Sequence, residues 1–454
     1  MTIPSSTPAK SAMDSLYAKL TVAALVFFVV LEAVYFFRSG LPSYRDPSLD
    51  FTGNAIGRDF ITAWMGGRSV HGYGPALSQW FDPEVYNAAL RVMMGPNFPE
   101  HFWSYPPHLV LFTWPLGLLP YLPAYLLWCA VGLALYLLAC AATVRREYLL
   151  FLAAAPGVAV CIFFGQNGFY TAALLIGGFA LLDRRPILAG ILFGILTVKP
   201  QLGIMLPIML LLQGRWRAIL AAIVTAFTLA IAAAYTVSPE VWRLEVWPAF
   251  TEGRDAWPAV IKGLKVWWDF IEKVIPQQRW LLENGGGLLF LMVSSVFFAG
   301  RLIGLPLNLA WNLQGFVSLL AVAAVIWTYW RRRDPVLSMA LLVTATFLAS
   351  PYVLNYDMVI FGFIVAALHQ RGNNSTIDHA LAIAIWSLPV TMMLFGAISV
   401  PIAPLVLAAF GGRLLWRLSK EGRESQEIVE AAPQENAAST SPLEETPTPA
   451  SIPA

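Results

Sequence analysis

The first long apolar run of the chain, LTVAALVFFVVLEAVYFF at residues 20–37, sets the fold class. It is long enough for one helix to cross a bilayer, and Lys10 and Lys19 stand before it. A cleaved signal peptide would have a shorter apolar core followed by small residues. This run ends instead in the bulky Tyr35-Phe36-Phe37 and in Arg38. We therefore predict an uncleaved first transmembrane helix.

The composition extends this reading to the whole chain. Of the 454 residues, 58% are hydrophobic and only 12% are charged, and the mean hydropathy is +0.64. Because soluble domains carry roughly 25% charged residues, the sequence predicts an all-α polytopic membrane protein. The net charge of +2 gives no support for nucleic acid as a partner. No metal-ligand spacing, phosphate loop or dinucleotide motif occurs, so we predict neither a metal nor another cofactor.

Further apolar runs predict about twelve membrane crossings with both termini in the cytoplasm. The short basic connections between them are Arg145-Arg146, Arg184-Arg185, Arg215 with Arg217, Arg331-Arg332-Arg333, Arg371, and Arg413 with Arg417. The positive-inside rule places all of these on the cytoplasmic side if residues 106–120 and 286–306 do not cross fully.

This topology divides the chain into three predicted parts. Residues 1–17 form a cytoplasmic N-terminus. Residues 18–416 form the membrane domain, with outer loops at about 38–105 and 238–286. Residues 417–454 are rich in Glu, Pro, Ser, Thr and Ala and are predicted to be a disordered cytoplasmic tail.

The unusual polar clusters of the sequence all fall on the opposite, outer face in this topology. Because several of the neighbouring runs are short for a full crossing, we expect some clusters to lie in a shared cavity below the surface. The clusters are Arg58-Asp59, Tyr105-Pro106-Pro107, Gly165-Gln166-Asn167, Lys199-Pro200-Gln201 and Asn355-Tyr356-Asp357.

The first outer loop offers a carboxylate and a helix. Asp59 precedes a helix-compatible stretch, so it is either a general base, which takes a proton from an acceptor hydroxyl, or a helix N-cap; the spacing leaves both open. Farther along, residues 82–94 are predicted to form an amphipathic helix with Asp82 as N-cap and Pro83 at its first position.

Lys199 lies between apolar runs, where a charge costs about 2.5–3.5 kcal/mol on insertion scales. We favour an anionic partner, such as a phosphate or diphosphate, over snorkelling of the side chain to the interface. Gln166 and Asn167 either hydrogen-bond sugar hydroxyls or form a plain hairpin turn. Asp357 is either a second carboxylate of the site or an acid at a helix start, and the second is slightly favoured.

With these residues assembled, the chain resembles the family 87 glycosyltransferases, which include mannosyltransferases that use polyprenol-phosphate mannose. The resemblance covers about residues 55–365. It rests on Arg58-Asp59-Phe60 with Trp64 and Gly67-Arg68, on Asp82-Pro83 to Tyr86, and on the outer clusters in their order, from Tyr105-Pro106-Pro107 to Ser350-Pro351-Tyr352 with Tyr356-Asp357.

The resemblance implies a GT-C fold in a bacterial cytoplasmic membrane, with the active site on the periplasmic or extracellular side. It implies metal-independent transfer of a hexose, with mannose preferred, from a polyprenyl-phosphate donor to a lipid-linked or glycan acceptor, with inversion. Asp59 would be the base, and Lys199, Arg58 and Arg68 would bind the donor phosphate. The residues that would bind the sugar or the acceptor are Tyr105, Gln166, Asn167, Gln201, Asn355, Tyr356 and Asp357. Relatives often carry a histidine close before the Tyr-Asp pair, and this chain has Asn355 just before it, so no proton-transfer role is assigned there.

Three other functions fit parts of the sequence. A lipid or polysaccharide transporter or flippase would share the polytopic character, but the two halves show no convincing internal repeat. An envelope polymer ligase would use a diphosphate-linked donor. A purely structural subunit would leave Lys199 without a reason.

Overall fold

Helix α1 (Ala12–Gly40) contains the first apolar run. The structure is a computed structural model that describes residues 12–40, 49–73, 77–331 and 333–431. Residues 14–39 of α1 are apolar and long enough to span a bilayer, as predicted. Residues 1–11 of the predicted N-terminus lie outside the described residues.

The first outer loop folds into two helices, α2 (Phe60–Val70) and α3 (Pro83–Met94). The Asp82 carboxylate accepts hydrogen bonds from the Glu84 and Val85 backbone N–H groups, which satisfies two of the free donors at the helix start. The predicted amphipathic helix, its N-cap and its first-turn proline are therefore confirmed.

The stretch after this loop does not form one long helix. Residues 107–118 form short 3₁₀ turns around α4 (Val110–Thr113) before α5 (Tyr121–Ala141) begins. Pro115 and Pro120 interrupt this region, because a proline removes a backbone donor and clashes with the preceding turn. Pro123 lies in the first turn of α5, where a missing N–H is tolerated. Only α5 is long enough here to cross a bilayer.

The middle of the chain consists mainly of short apolar helices. They are α6 (Leu149–Ala153), α7 (Pro156–Phe163), α8 (Gly168–Leu181), α9 (Pro186–Ile195) and α10 (Leu206–Leu212), followed by the longer α11 (Trp216–Val237). Helices α6 and α7 are bent by 49° at the break between them. Pro156 and Pro186 occupy first helical positions, where a missing N–H costs nothing.

The second outer loop also folds into helices. These are α12 (Pro239–Val241), α13 (Trp247–Thr251), α14 (Trp257–Gly263), α15 (Lys265–Asp269) and α16 (Ile275–Asn284), with wide π turns at 242–246 and 270–274. The chain then continues through α17 (Leu288–Met292), α18 (Val296–Leu302), α19 (Leu307–Trp330), α20 (Pro335–Ala349), α21 (Val359–Arg371), α22 (Thr376–Gly396) and α23 (Ile402–Ala431).

Within the described ranges no residue lies in a β-strand, and the predicted all-helical architecture is confirmed. Six of the helices are long and apolar enough to cross a bilayer, or seven spans if α6 and α7 count as one. The predicted number was about twelve. The difference arises largely because four predicted runs form apolar helices of 10–17 residues, at Gly168–Leu181, Pro186–Val198, Pro200–Leu212 and Pro335–Ala349. At 1.5 Å per residue such helices are shorter than the roughly 30 Å hydrocarbon core.

Helix α23 extends into the segment that we predicted to be disordered. It continues to Ala431, so residues 417–431 of the predicted tail are helical. The sequence there is rich in Glu, Arg and Lys, which are good helix formers and can prolong a helix that packing has already started. Residues 432–454 lie outside the described part of the chain.

Two hydrophobic cores organise the molecule. One contains residues of α7, α8 and α20 to α23, and the other contains residues of α2, α3 and α5. The polar clusters come together between them, since their surroundings include members of the first core, such as Phe164 and Tyr356, and residues packed on the second, such as Tyr105 and Phe270.

Candidate active site

A buried aspartate shapes the chain just before α2. Asp50 is 2% exposed, and its carboxylate accepts hydrogen bonds from Thr52, Asn54 and the Tyr35 hydroxyl. One terminal nitrogen of Arg58 also lies 3.2 Å from this carboxylate. Because so many donors converge on one group, the turn that leads to residue 59 is held in a single conformation.

The Asp59 carboxylate does not cap α2, although the residue stands at the N-cap position and makes no side-chain cap hydrogen bond. It accepts a hydrogen bond instead from the Gln166 side-chain amide, at 2.7 Å. The Gln166 carbonyl in turn accepts one from the Tyr105 hydroxyl, also at 2.7 Å. Three polar clusters from distant parts of the sequence thus form one hydrogen-bonded chain.

Gly165 makes this contact possible. Its φ of +58° lies in the left-handed region, and a Cβ there would stand 2.5 Å from the Phe60 Cβ and 2.6 Å from the Gly57 carbonyl oxygen. The backbone N–H of Asp59 also donates to the Phe164 carbonyl, at 3.2 Å. The turn before α8 can therefore lie directly against the start of α2, which brings Gln166 to Asp59.

Lys199 meets a carboxylate of the protein. Its Nζ donates to Asp357 Oδ1 at 2.5 Å and to Asn167 Oδ1 at 3.0 Å, and it lies 4.7 Å from the centre of the Tyr356 ring. The Lys199 and Asp357 side chains are only 4% and 0% exposed. Asp357 also accepts from the Leu354 N–H, so it takes part in the helix start as well as in a buried ion pair.

A cavity of about 330 Å³ opens onto these groups. The residues that we predicted from sequence and that line it are Arg58, Asp59, Tyr105, Gln166, Lys199, Gln201 and Tyr356. Asn167 and Asp357 do not line the cavity but lie behind its wall, in contact with Lys199. The cavity therefore combines a carboxylate with residues from all five predicted clusters. Asp357 of the fifth cluster contacts Lys199 behind the wall.

Two predicted residues point elsewhere. Arg68 lies in the last turn of α2, donates to the Gly117 carbonyl and stacks on Tyr73, 4.1 Å from the ring centre. Asn355 is fully buried, and its amide contacts the Pro389 carbonyl and the Met393 sulfur. Neither side chain lines the cavity, so we leave both out of the proposals below.

Other residues of the cavity were not selected from the sequence. Among them is His101, whose backbone exchanges hydrogen bonds with the Asn87 side chain of α3. Gln278 of α16 donates to the Ser104 carbonyl. One wall is apolar and consists of Phe270, Leu281, Leu288, Leu289 and Met292. His101 lies four residues before Tyr105 in the same loop, which is a usable signal, whereas the apolar wall comes from a remote segment and has no local signature.

The protein environment shifts the pKa values of Asp59 and His101, which both line the cavity. Burial raises the pKa of Asp59, and the hydrogen bond from Gln166 and the neighbouring positive charges offset only part of this effect. Burial lowers the pKa of His101, although the negative charge of Asp59 acts in the opposite direction. A carboxylate with a raised pKa is a stronger base, and a histidine with a lowered pKa is neutral near pH 7.

Across residues 12–40, 49–73, 77–331 and 333–431, no group of three or more His, Cys, Asp or Glu side chains is arranged to hold a metal ion.

Comparison with known proteins identifies one family. Residues 103–351 match the model of glycosyltransferase family 87, and this range is more than half of the chain. It includes Tyr105, Gln166, Asn167, Lys199 and Gln201 and begins after Asp59. Neither the curated proteins nor the solved structures compared with the chain gave a match.

Proposed function

Since the chain belongs to glycosyltransferase family 87, we propose that it transfers a hexose from a polyprenyl-phosphate donor to a lipid-linked or glycan acceptor. Mannose is the sugar that the resemblance favours. The proposal includes inversion at the sugar, independence of metal ions, and a site on the outer face of a bacterial cytoplasmic membrane. A transporter and a ligase with a diphosphate donor are the alternatives that the experiment below separates from it.

The position of Asp59 carries this proposal. Its carboxylate faces a cavity and is held by Gln166 rather than by the backbone of its own helix. A helix start uses a free carboxylate as a cap when nothing else holds it. The geometry therefore favours a role for Asp59 toward a molecule in the cavity.

The reaction follows from this arrangement. The acceptor hydroxyl attacks the anomeric carbon from the side opposite the phosphate, as inversion requires. The new C–O bond forms while the bond from the anomeric carbon to the phosphate oxygen breaks, and that oxygen keeps the electron pair. The hydroxyl proton passes to Asp59. The product is a polyprenyl phosphate with one more negative charge than the donor, so groups that stabilise this charge accelerate the step.

The apolar wall suits the lipid part of such a donor. Leu281, Leu288, Leu289 and Met292 lie on the same cavity as Asp59. An isoprenoid chain gains free energy when it leaves water for an apolar surface, at roughly 25 cal/mol per Å². A cavity with a polar end and an apolar wall thus fits a molecule that is a phosphorylated sugar at one end and a hydrocarbon at the other.

The proposal also includes a GT-C fold with about twelve crossings and both termini in the cytoplasm. Several loops that carry the basic residues contact one another. These contacts support the placement of those loops at the same end of the helix bundle. The Arg145 N–H donates to the Gln370 side chain, and Arg371 pairs with Asp334 and Glu421. Under the positive-inside rule this end of the bundle would face the cytoplasm.

A transfer assay in nanodiscs tests the function. Purified protein receives radiolabelled polyprenyl-phosphate mannose or glucose, with a membrane-lipid extract as acceptor and EDTA present. The wild type should form a glycosylated product, and Asp59→Asn should not. Asp82→Asn is a matched control, because Asn also caps helices well and Asp82 lies outside the cavity lining.

Each alternative predicts a different result. Transfer only from a diphosphate-linked donor would favour the ligase, and movement of lipid without any consumption of donor would favour the transporter. Full activity of Asp59→Asn would remove Asp59 from the mechanism.

A further inference from the structure

An unpaired nitrogen of His101 marks a second functional group of the cavity. Its Nε2 is buried and has no hydrogen-bond partner among the described residues, while the residue lines the same cavity as Arg58 and Asp59. A buried polar atom without a partner costs free energy, about 1–3 kcal/mol. Such an atom on a cavity wall is a natural contact for a bound molecule.

The structure holds His101 firmly in this place. Its N–H donates to Asn87 Oδ1 at 2.8 Å, and its carbonyl accepts from Asn87 Nδ2 at 3.0 Å. The ring stacks on Phe98, with centroids 5.3 Å apart and planes 17° apart. Because backbone and ring are both fixed, Nε2 is preorganised for a ligand and loses little freedom on binding.

Arg58 offers a second unpaired donor on the lining of the same cavity. One of its terminal nitrogens contacts Asp50, but its Nε is buried and has no partner in the part of the chain that the structure describes. Arg58 and His101 line the same cavity as Asp59, and both residues act on the pKa of the Asp59 carboxyl. Two nitrogens without a partner, one of an arginine and one of a histidine, thus belong to residues that line the cavity together with Asp59.

Lys199, the other basic residue of the cavity lining, already forms an ion pair with Asp357. The Lys199–Asp357 ion pair, with an Nζ–Oδ1 distance of 2.5 Å, has no net charge to attract a phosphate. A donor phosphate therefore needs other hydrogen-bonding groups of the wall, and the Arg58 Nε and the His101 Nε2 belong to lining residues and have no partner among the described residues.

We propose that the donor phosphate binds between Arg58 and His101, and that His101 Nε2–H donates a hydrogen bond to a phosphate oxygen. This assignment rests on the proposed function and names the site of its phosphate. It requires the neutral tautomer with the proton on Nε2, or the imidazolium. An arriving phosphate favours the imidazolium, since a negative neighbour stabilises the charged form of a histidine.

Binding of small probes to the full-length protein in nanodiscs tests this inference without the reaction. The probes are a short isoprenyl methyl phosphate diester and the corresponding isoprenyl alcohol, at constant pH. The diester carries one negative charge that does not titrate near neutral pH, and the alcohol lacks the phosphate. Isothermal titration calorimetry gives the Kd of each.

In the wild type the diester should bind more tightly than the alcohol. In His101→Asn its Kd should rise about ten- to hundredfold, the range for a hydrogen bond to a charged group, while the Kd of the alcohol stays unchanged. His101→Gln should recover part of the loss, because its longer amide can place an N–H near the position of Nε2. His71→Asn, outside the cavity lining, should bind both probes as the wild type does.

Three results would overturn the inference. Equal weakening of both probes in His101→Asn would show a structural role for His101. An unchanged Kd for the diester would place the phosphate elsewhere and leave the proposed function intact. A wild type that does not prefer the diester to the alcohol would contradict the donor class of the proposed function itself. Melting curves of each variant in nanodiscs confirm that folded protein is being compared.

Discussion

Asp59 and Asp357 occupy equivalent places in the sequence and opposite electrostatic surroundings in the structure. Each precedes an apolar helix and follows a polar segment. Asp357 is paired with Lys199, at 2.5 Å, inside the wall, whereas Asp59 faces the cavity and is held by a neutral amide. The same residue type in the same position thus becomes a charge that the protein neutralises in one case and a charge available to a substrate in the other.

The position of an acidic residue before a helix therefore does not determine its role. Asp82 makes the point with a third outcome, because it caps α3 with two backbone hydrogen bonds. What separates the three acids is the group that reaches each carboxylate: a backbone N–H, a lysine, or a glutamine. Substitution of each acid in turn therefore tests which of these three roles it has.

The largest effect is expected at Asp59. Asp59→Asn should lower the transfer rate about 10²–10⁴-fold, the usual contribution of a general base. The free energy of unfolding should stay the same or rise, because burial disfavours the charged carboxylate and its neighbours offset only part of that cost. Transfer assays and chemical unfolding of the same preparation measure both quantities. A loss of stability that matched the loss of activity would make Asp59 a structural acid like Asp357.

At Asp357 the expected effect is on folding. Asp357→Asn leaves the Lys199 charge buried without a partner, which should destabilise the protein by about 3–5 kcal/mol. Adding Lys199→Met removes the stranded charge, so the double variant should regain most of the lost free energy of unfolding. A double variant as unstable as Asp357→Asn alone would show that the ion pair is not the reason for the loss.

A smaller effect is expected at Gln166. Asp59 works as a base only when deprotonated, so activity should fall as the pH drops through its raised pKa. Gln166 lowers that pKa by its hydrogen bond. In Gln166→Leu the pKa should rise further, and the acidic limb of the kcat/KM profile should move to higher pH. A shift to lower pH, or no shift, would contradict the contact between Gln166 and Asp59.

The smallest effect is expected at Asp82. Asp82→Ala removes a cap and should cost about 1 kcal/mol of stability, with kcat/KM unchanged. Thermal melting and transfer assays check this. Loss of activity in Asp82→Ala without loss of stability would mean that α3 contacts the substrate directly. Its role would then not be limited to the hydrogen bonds between Asn87 and the His101 backbone.

The sequence predicted those features that depend on local signals. The α3 helix with its Asp82 cap and Pro83 start is one, and the all-helical architecture is another, because both follow from short-range spacing and composition. The shared cavity followed from a topology that placed Asp59, Tyr105, Gln166 and Lys199 on one face, and the structure brings these side chains together.

The other features of the site depend on contacts between residues that are far apart in the chain. A single sequence shows no local pattern for such contacts. Lys199 was expected to meet a phosphate, and the structure pairs it with a carboxylate 158 positions away. The role of His101 depends on a clamp from Asn87 and on the neighbouring Asp59, so its place in the chain alone revealed little. The shortness of runs such as α8 and α9 was visible in the sequence, but the prediction of about twelve crossings still counted them as full spans.

The separation between Lys199 and Asp357 has a consequence for biosynthesis. Lys199 is made 158 residues before its counter-ion, which at 5–20 residues per second corresponds to roughly 8–30 s. During this interval the ribosome has delivered a lysine destined for the protein interior without the acid that will neutralise it. We therefore expect the turn between the 3₁₀ segments at 196–198 and 200–203 to stay hydrated until the segment near residue 357 has been made.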